Sequence, residues 1–242
     1  MKPLSMAAFA VLASGAWAQS NQQLPPDGFA SNQVQMMGLL ALMAIVPFAI
    51  MMLTSFSKIV VVLSIVRSAL GTQQAPPTMV LTGLAAVLSA TVMAPTFEKM
   101  WAQGRHSWSE GPDASSMMSE AHLVLRPLQD FLLKHAASEE RARFVDMARE
   151  LRAHDEAALV SETDIAVVVP AFVVTELKEA FIIGFLVFLP FLVLDMLIAN
   201  VLLALGMQTL SPSQVSLPFK ILLFVAVDGW ALLSRGLVLG YR

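Results

Sequence analysis

Apolar residues in this chain gather into long runs rather than the narrow stripes of a soluble domain. The first covers residues 36–53, about 18 positions broken by Pro47, and it resumes over 59–66 beyond the polar turn Thr54-Ser55-Phe56-Ser57-Lys58. A second run covers 79–95, a third 165–205 and a fourth 215–233. About 20 apolar residues suffice to cross a bilayer. The pattern therefore predicts an all-α, polytopic-looking membrane protein of kinked helices and helical hairpins. If helical throughout, the third run would reach about 60 Å, twice a hydrocarbon core, and Pro170, Gly184 and Pro190 predict that it bends. Gly71-Thr72-Gln73-Gln74-Ala75-Pro76-Pro77 ends the helix that carries the 59–66 stretch. Glycine suits a helix C-terminus, and the residue before each proline is driven out of helical conformation. Gly206-Met207-Gln208-Thr209-Leu210-Ser211-Pro212 forms a short break between the last two runs.

Polar character is concentrated in one place. Residues 98–164 hold eight of the fifteen Lys and Arg and thirteen of the eighteen Asp and Glu, so one soluble insert divides a first apolar region (19–97) from a second (165–242). Its opening part, with Gly104, Ser107, Ser109, Gly111 and Pro112, reads as loop. From about 119 to 158 it reads as two helices, with Leu123, Leu125, Leu128, Phe131 and Leu132 on one stripe and Phe144, Met147, Ala148 and Leu151 on the other. The acidic bias of this helical insert, and the basic Lys58 and Arg67 on the connection before it, put the insert on the periplasmic side by the positive-inside rule. Residues 1–18 carry basic Lys2, a short apolar core and the ending Ala16-Trp17-Ala18, the signature of a cleaved signal peptide.

The few charges within the apolar regions are the candidates for function. Glu176, Lys178 and Glu179 open the most apolar part of the third run, Asp195 lies inside it, and Lys220 and Asp228 lie in the fourth. A charge in hydrocarbon costs at least ~2.5–3.5 kcal/mol, so such residues face protein or water. Glu176 and Lys178 are about 200° apart on a helix and cannot neutralise each other. Lys220 and Asp228 are separated by about two turns, roughly 12 Å, again too far for a direct pair. Lys58 and Arg67 point to opposite sides of their helix. The partners of these side chains must come from another segment or another copy of the chain, which assigns Lys58, Arg67, Glu176, Lys178, Glu179, Asp195, Lys220 and Asp228 to assembly.

Composition removes several functions. At 57% hydrophobic and 14% charged, the chain falls in the membrane class rather than the soluble one. It has no cysteine, so disulfides, thiol catalysis and cysteine metal sites are excluded. His106, His122, His135 and His154 are too scattered to hold a metal and read as surface residues. A net charge of −3 with no basic face leaves nucleic-acid binding without support.

Several blocks, read in order, resemble the FliP/SctR family of type III secretion export-apparatus proteins. They are Leu53-Thr54-Ser55-Phe56-Ser57-Lys58, then the stretch from Arg67-Ser68-Ala69-Leu70 through Pro77, Val92-Met93-Ala94-Pro95 and Pro170-Ala171-Phe172. Glu176-Leu177-Lys178, Gly184-Phe185 and Pro190-Phe191-Leu192-Val193-Leu194-Asp195 follow, with Ser216-Leu217-Pro218-Phe219-Lys220 and Asp228-Gly229-Trp230 completing the set. Order and spacing carry the resemblance, since no single block is specific, and the insert matches only in position and character. The resemblance implies a non-enzymatic pentamer with Q-type, R-type and S/U-type partner subunits. It would surround the entrance of a channel for unfolded secreted proteins at the bacterial inner membrane, with much of the complex above the membrane plane. Energy would come from a separate ATPase and the proton-motive force. In the family the loop between the last two runs forms a methionine-rich ring that seals the closed pore. Here it reads Met207-Gln208-Thr209, one methionine where many relatives carry two or three, so Met207, Gln208 and Thr209 are the expected gasket. The 71–77 block and Leu210-Ser211-Pro212 look more like the injectisome branch, whereas the signal peptide and total length look more like flagellar members.

Two other classes stay in view. An ion-coupled transporter would use Asp195, Asp228 and Glu176 as a relay, but it requires internal repeats, and none is evident. An enzyme would need a motif such as HExxH, a phosphate-binding glycine loop or a Ser-His-Asp set, and the spacing offers none.

Overall fold

The computed structural model describes residues 28–72, 75–108, 116–207 and 209–242. The expected signal peptide lies outside them. The described residues form helices joined by short turns: α1 (Gly28–Leu53), α2 (Phe56–Leu70), α3 (Thr78–Trp108), α4 (Ser116–His135), α5 (Ser138–Glu150), α6 (His154–Ala157), α7 (Ile165–Ala204), α8 (Pro212–Ala226) and α9 (Gly229–Leu239). The chain divides into two units, Met1–Pro47 and Phe48–Arg242. In the first, α1 carries exposed Met36, Met37, Leu40 and Met43. The hydrophobic cores lie in the second.

Helix α2 is its hub. Ile59, Val62, Leu63, Val66, Ala69 and Leu70 recur at helical spacing and are buried. They pack with Leu81 and Ala85 of α3, Ala180 and Phe191 of α7, Phe224 of α8, and Leu233 and Leu237 of α9. A second core joins the insert to this framework through Met93 of α3, Phe131 and Leu132 of α4, Phe172 of α7, and Tyr241 beyond α9. The turn into α2 is buried and polar, so its hydroxyls need partners. Thr54 Oγ1 donates to the Ile50 carbonyl at 2.6 Å and Ser55 Oγ to Ser89 Oγ at 3.0 Å.

Helix ends follow from backbone chemistry. Gly71 closes α2 at φ +75°, in the left-handed region that glycine enters without a Cβ penalty. Helix α7 ends in two crossed backbone bonds: Gly206, at φ +73°, donates to the Leu203 carbonyl and Met207 to the Leu202 carbonyl. This is the six-to-one and five-to-two pairing of a glycine-capped helix terminus.

One expectation changes. Gly104 and Ser107 are helical rather than loop, because α3 runs without interruption to Trp108. Met100, Trp101, Ala102 and Gln103 sustain it, and one glycine costs only about 1 kcal/mol. Helix α7 carries Pro170, Gly184 and Pro190 within a single helix, and a break follows where α8 and α9 meet at 59°. Asp228 makes that corner at φ +51°, a conformation that Asp tolerates better than most residues.

Among the described residues, three helices are long and apolar enough to cross a membrane: α1 over Met36–Leu53, α3 over Thr78–Arg105, and α7. A fourth span arises if α8 and α9 count as one bent element.

Candidate functional site

Five of the eight candidate charges, Lys58, Glu176, Glu179, Asp195 and Lys220, gather in two clusters, both built around α2. At its first turn the Lys58 ammonium lies 2.9 Å from Glu176 Oε1 and 2.6 Å from Glu179 Oε2 on α7. Glu176 and Glu179 are three residues apart, so they face the same way and bracket one cation. Their surroundings differ: the Glu176 side chain is 1% exposed and that of Glu179 is 50% exposed. The Tyr241 hydroxyl donates to Glu176 Oε2, and Lys58 stands 4.2 Å above the centre of the Tyr241 ring, where the negative ring face attracts it. Tyr241 in turn stacks on Phe131 and meets His135 edge-on. Burial, reinforced by Glu176, raises the Tyr241 phenol above its ordinary value and keeps it a donor.

The second cluster lies toward the other end of α2. Lys220 of α8 donates to Asp195 Oδ2 of α7 at 2.6 Å and to the Ala69 carbonyl at 3.1 Å. Ser216, one turn before Lys220, donates to Asp195 Oδ1 at 2.5 Å. A carbonyl at the C-terminal end of a helix carries partial negative charge, so the ammonium completes the end of α2 as well as pairing with Asp195.

The remaining candidates lie elsewhere. Lys178 points away from its neighbours' cluster and lies 3.5 Å from the buried Glu140 of α5, which also pairs with Arg143 at 3.0 Å. Arg67 donates to Thr78 Oγ1 at 2.9 Å. Asp228 makes no ion pair among the described residues and serves as the corner of α8 and α9. Met207 is 47% exposed on the turn after α7. Thr209 is exposed as well, and Gln208 lies outside the described residues.

Periodicity did not single out Tyr241, Glu140, Ser216 or His135. Tyr241 follows the end of a helix and belongs to no stripe; its one signal is that it is the only tyrosine of the chain. His135, expected at the surface, is half-buried against Phe131 and Tyr241. Its pKa falls to about 4, chiefly through burial and then through the nearby charges of Lys134 and Lys58, with Glu179 opposing. No group of His, Asp and Glu among the described residues is arranged to hold a metal ion. What the two clusters do is hold α2, α7, α8 and the C-terminus together through the buried Lys58, Glu176 and Lys220, with Glu179 and Asp195 as their partly exposed partners.

Comparison with known proteins shows the chain's family. Residues 39–237 match the FliP family. The chain is 46% identical over 201 residues to the hypersensitivity response secretion protein HrcR of Ralstonia nicotianae, covering 82% of this chain and 93% of that protein. It is 39% identical over 246 residues to the flagellar biosynthetic protein FliP of Caulobacter vibrioides, covering 99% and 89% respectively. To the Yop proteins translocation protein R of Yersinia pestis it is 40% identical over 213 residues, 87% of this chain and 97% of that one. With a family match across both apolar regions and the insert, and relatives aligned over most of their own length, the chain belongs to the FliP family.

Proposed function

We propose that this chain is a core subunit of a type III protein export apparatus in the bacterial inner membrane. Five copies, joined by Q-type, R-type and S/U-type subunits, surround the entrance channel for unfolded export substrates. It is a structural component rather than an enzyme. The flagellar and the injectisome relatives both support the export role, and the higher identity to HrcR favours the injectisome branch.

The observation that carries the reading is the mismatch on α7. Its 40 residues would span about 60 Å, twice a hydrocarbon core, yet only ten of the 40 are buried within the chain. Phe181, Ile182, Phe185 and Leu186 are all more than half exposed. One bilayer cannot cover a helix of that length, so further protein must, and a ring of copies supplies it. Six of the eight candidate charges are paired inside the subunit, which leaves apolar faces to meet each other. The Gly206 turn then presents Met207 at the end of α7, and five such turns would close a pore with flexible, apolar thioethers.

Because the chain has no cysteine, one cysteine at the exposed Phe185 of α7, paired with a second scanned over exposed positions that do not pack on α7 in the same chain, gives clean oxidative cross-links between copies. A ladder ending at five chains in membranes containing the complete apparatus is the expected result. A ladder that stops at two, or none, overturns the ring. A cysteine at Leu151, 88% exposed on the insert, should react with an impermeant maleimide from the periplasmic side.

A further inference from the structure

The two candidate charges that find no ion-pair partner within the chain have opposite signs. Arg67 holds Thr78 Oγ1 but no carboxylate among the described residues, and Asp228 meets no cation among them. Both stand in apolar surroundings. Asp228 is exposed at the corner of α8 and α9, among Val225, Val227 and Leu232, each more than half exposed. Arg67 is half-buried beside the start of α3, where Thr78 is followed by the exposed Met79 and Val80. When such faces are covered, a charge among them loses its water and needs a partner of opposite sign. The chain itself does not supply one.

Symmetry and position narrow the partner. In the two apolar regions Lys58, Lys178 and Lys220 are paired internally, whereas Arg67, Arg235 and Arg242 have no ion pair among the described residues. Arginine is the cation enriched in subunit contacts. A closed ring is built head to tail, one patch of each copy meeting a different patch of the next. Arg235 follows Asp228 by two helical turns and shares its face of α9, so pairing these two would join like patches into a two-fold dimer. Arg242 follows Tyr241 at the Lys58 cluster, with the three turns of α9 between it and Asp228. Arg67 fits better. It lies on the side of α2 that meets α3, while Ile65 lies on the side that meets Gly184 of α7, so Arg67 and Asp228 belong to different patches. Their levels agree too. Helix α8 runs antiparallel to α7, with Lys220 at Asp195 and Phe224 by Phe191. Asp228 therefore lies from Lys220 back toward the Lys58 end, the direction in which Arg67 lies from Ala69, the residue that Lys220 holds.

We infer that the partner is a second copy of this chain: Asp228 of one copy pairs with Arg67 of the next, once at every contact of the ring proposed above, on which this pair depends. The left-handed backbone of Asp228 holds the carboxylate at the tip of the corner, where a neighbouring arginine can reach it.

The test uses two differently tagged full-length chains, one carrying Arg67→Cys and the other Asp228→Cys, made together in cells that hold the complete apparatus. A short bifunctional thiol reagent takes the place of the arginine side chain, because a direct disulfide needs the two residues closer than an Arg–Asp pair sets them. A link between the two tags is expected, and a chain carrying both cysteines should give a ladder ending at five. No link between positions 67 and 228, with the Phe185 cross-links intact, overturns the pair and leaves the ring standing. Failure of the Phe185 cross-links as well overturns the ring, and the pair with it. A link from Asp228→Cys to a different polypeptide overturns the pair by assigning the corner to another subunit; so does an Asp228→Cys, Arg235→Cys product that stops at two chains. If the cysteine chains do not assemble, complex on native gels is compared for Arg67→Gln, Asp228→Asn and both together. Asn keeps the left-handed corner without the charge. Close charge pairs across an interface couple by about tenfold or more, so each single change should lower the assembled fraction about tenfold and the double change no further. Losses that multiply would show two independent residues and overturn the pair.

Discussion

Substituting Lys58 should be the most damaging single change to the subunit itself, and by an asymmetric margin. Lys58→Met leaves two carboxylates without their cation, one of them fully buried. Stranding one partner of a buried pair typically costs about 3–5 kcal/mol. For a chain of this size each kcal/mol moves the melting midpoint by roughly 2–4 °C, so Lys58→Met should lower it by about 10 °C. Glu176→Gln should be much milder. Lys58 keeps Glu179 and the Tyr241 ring, and the amide oxygen can still accept from the Tyr241 hydroxyl. Glu179→Gln removes a half-exposed partner, for which about 0–1 kcal/mol is the usual range. The decisive comparison is with the double variant Lys58→Met, Glu176→Gln, which removes the stranded buried charge and should recover a large part of the loss. The assay is scanning fluorimetry of the purified chain in detergent, using the tryptophans at 101, 108 and 230, with intact complex measured in parallel. Equal costs for Lys58→Met and Glu179→Gln, or a double variant no better than Lys58→Met, would refute this account of the cluster.

Four further outcomes are expected. Lys220→Met should reduce assembled complex strongly, because Asp195 loses its ammonium and the Ala69 carbonyl its donor, whereas Ser216→Ala should cost only about 1 kcal/mol; both are read by melting and by native gel. Gly229→Ala places a Cβ 2.3 Å from the Phe224 ring; overpacking of this kind costs about 1–3 kcal/mol, and Phe224→Leu should restore part of it in a melting experiment. His135 is neutral in the folded chain down to about pH 4 but titrates near 6.5 when unfolded. The unfolded chain therefore takes up more protons between those values, so stability is lost as pH falls through that window, and His135→Gln should flatten the melting profile there. Deleting Met207, Gln208 and Thr209 should leave the complex assembled but the membrane leaky in a small-solute uptake assay; an unchanged barrier would make this loop a mere connection.

Local chemistry made much of the architecture legible. Hydropathy runs mark the long helices because a helix in lipid must be apolar over its length whatever it packs against. Gly71 and Gly206 mark helix ends because a left-handed backbone excludes most other residues. Even the negative inference from spacing, that Glu176 and Lys178 cannot meet, needs only helical geometry. The limits of local reasoning show at α3, where polarity changes at residue 98 but the helix runs on to Trp108; composition reports surroundings, and backbone hydrogen bonding does not stop where they change.

Pairing was decided by tertiary structure alone. Lys58 and Glu179 are 121 residues apart, Tyr241 and Glu176 are 65 apart, and Lys220 and Asp195 are 25 apart. No periodicity links such positions, because their meeting depends on how α2 crosses α7 and where the chain returns after α9. Tyr241 is the clearest instance. As one aromatic residue past a helix end it has no pattern to belong to, and only the fold carries it back beneath Lys58, against Phe131 and onto the fully buried carboxylate of Glu176.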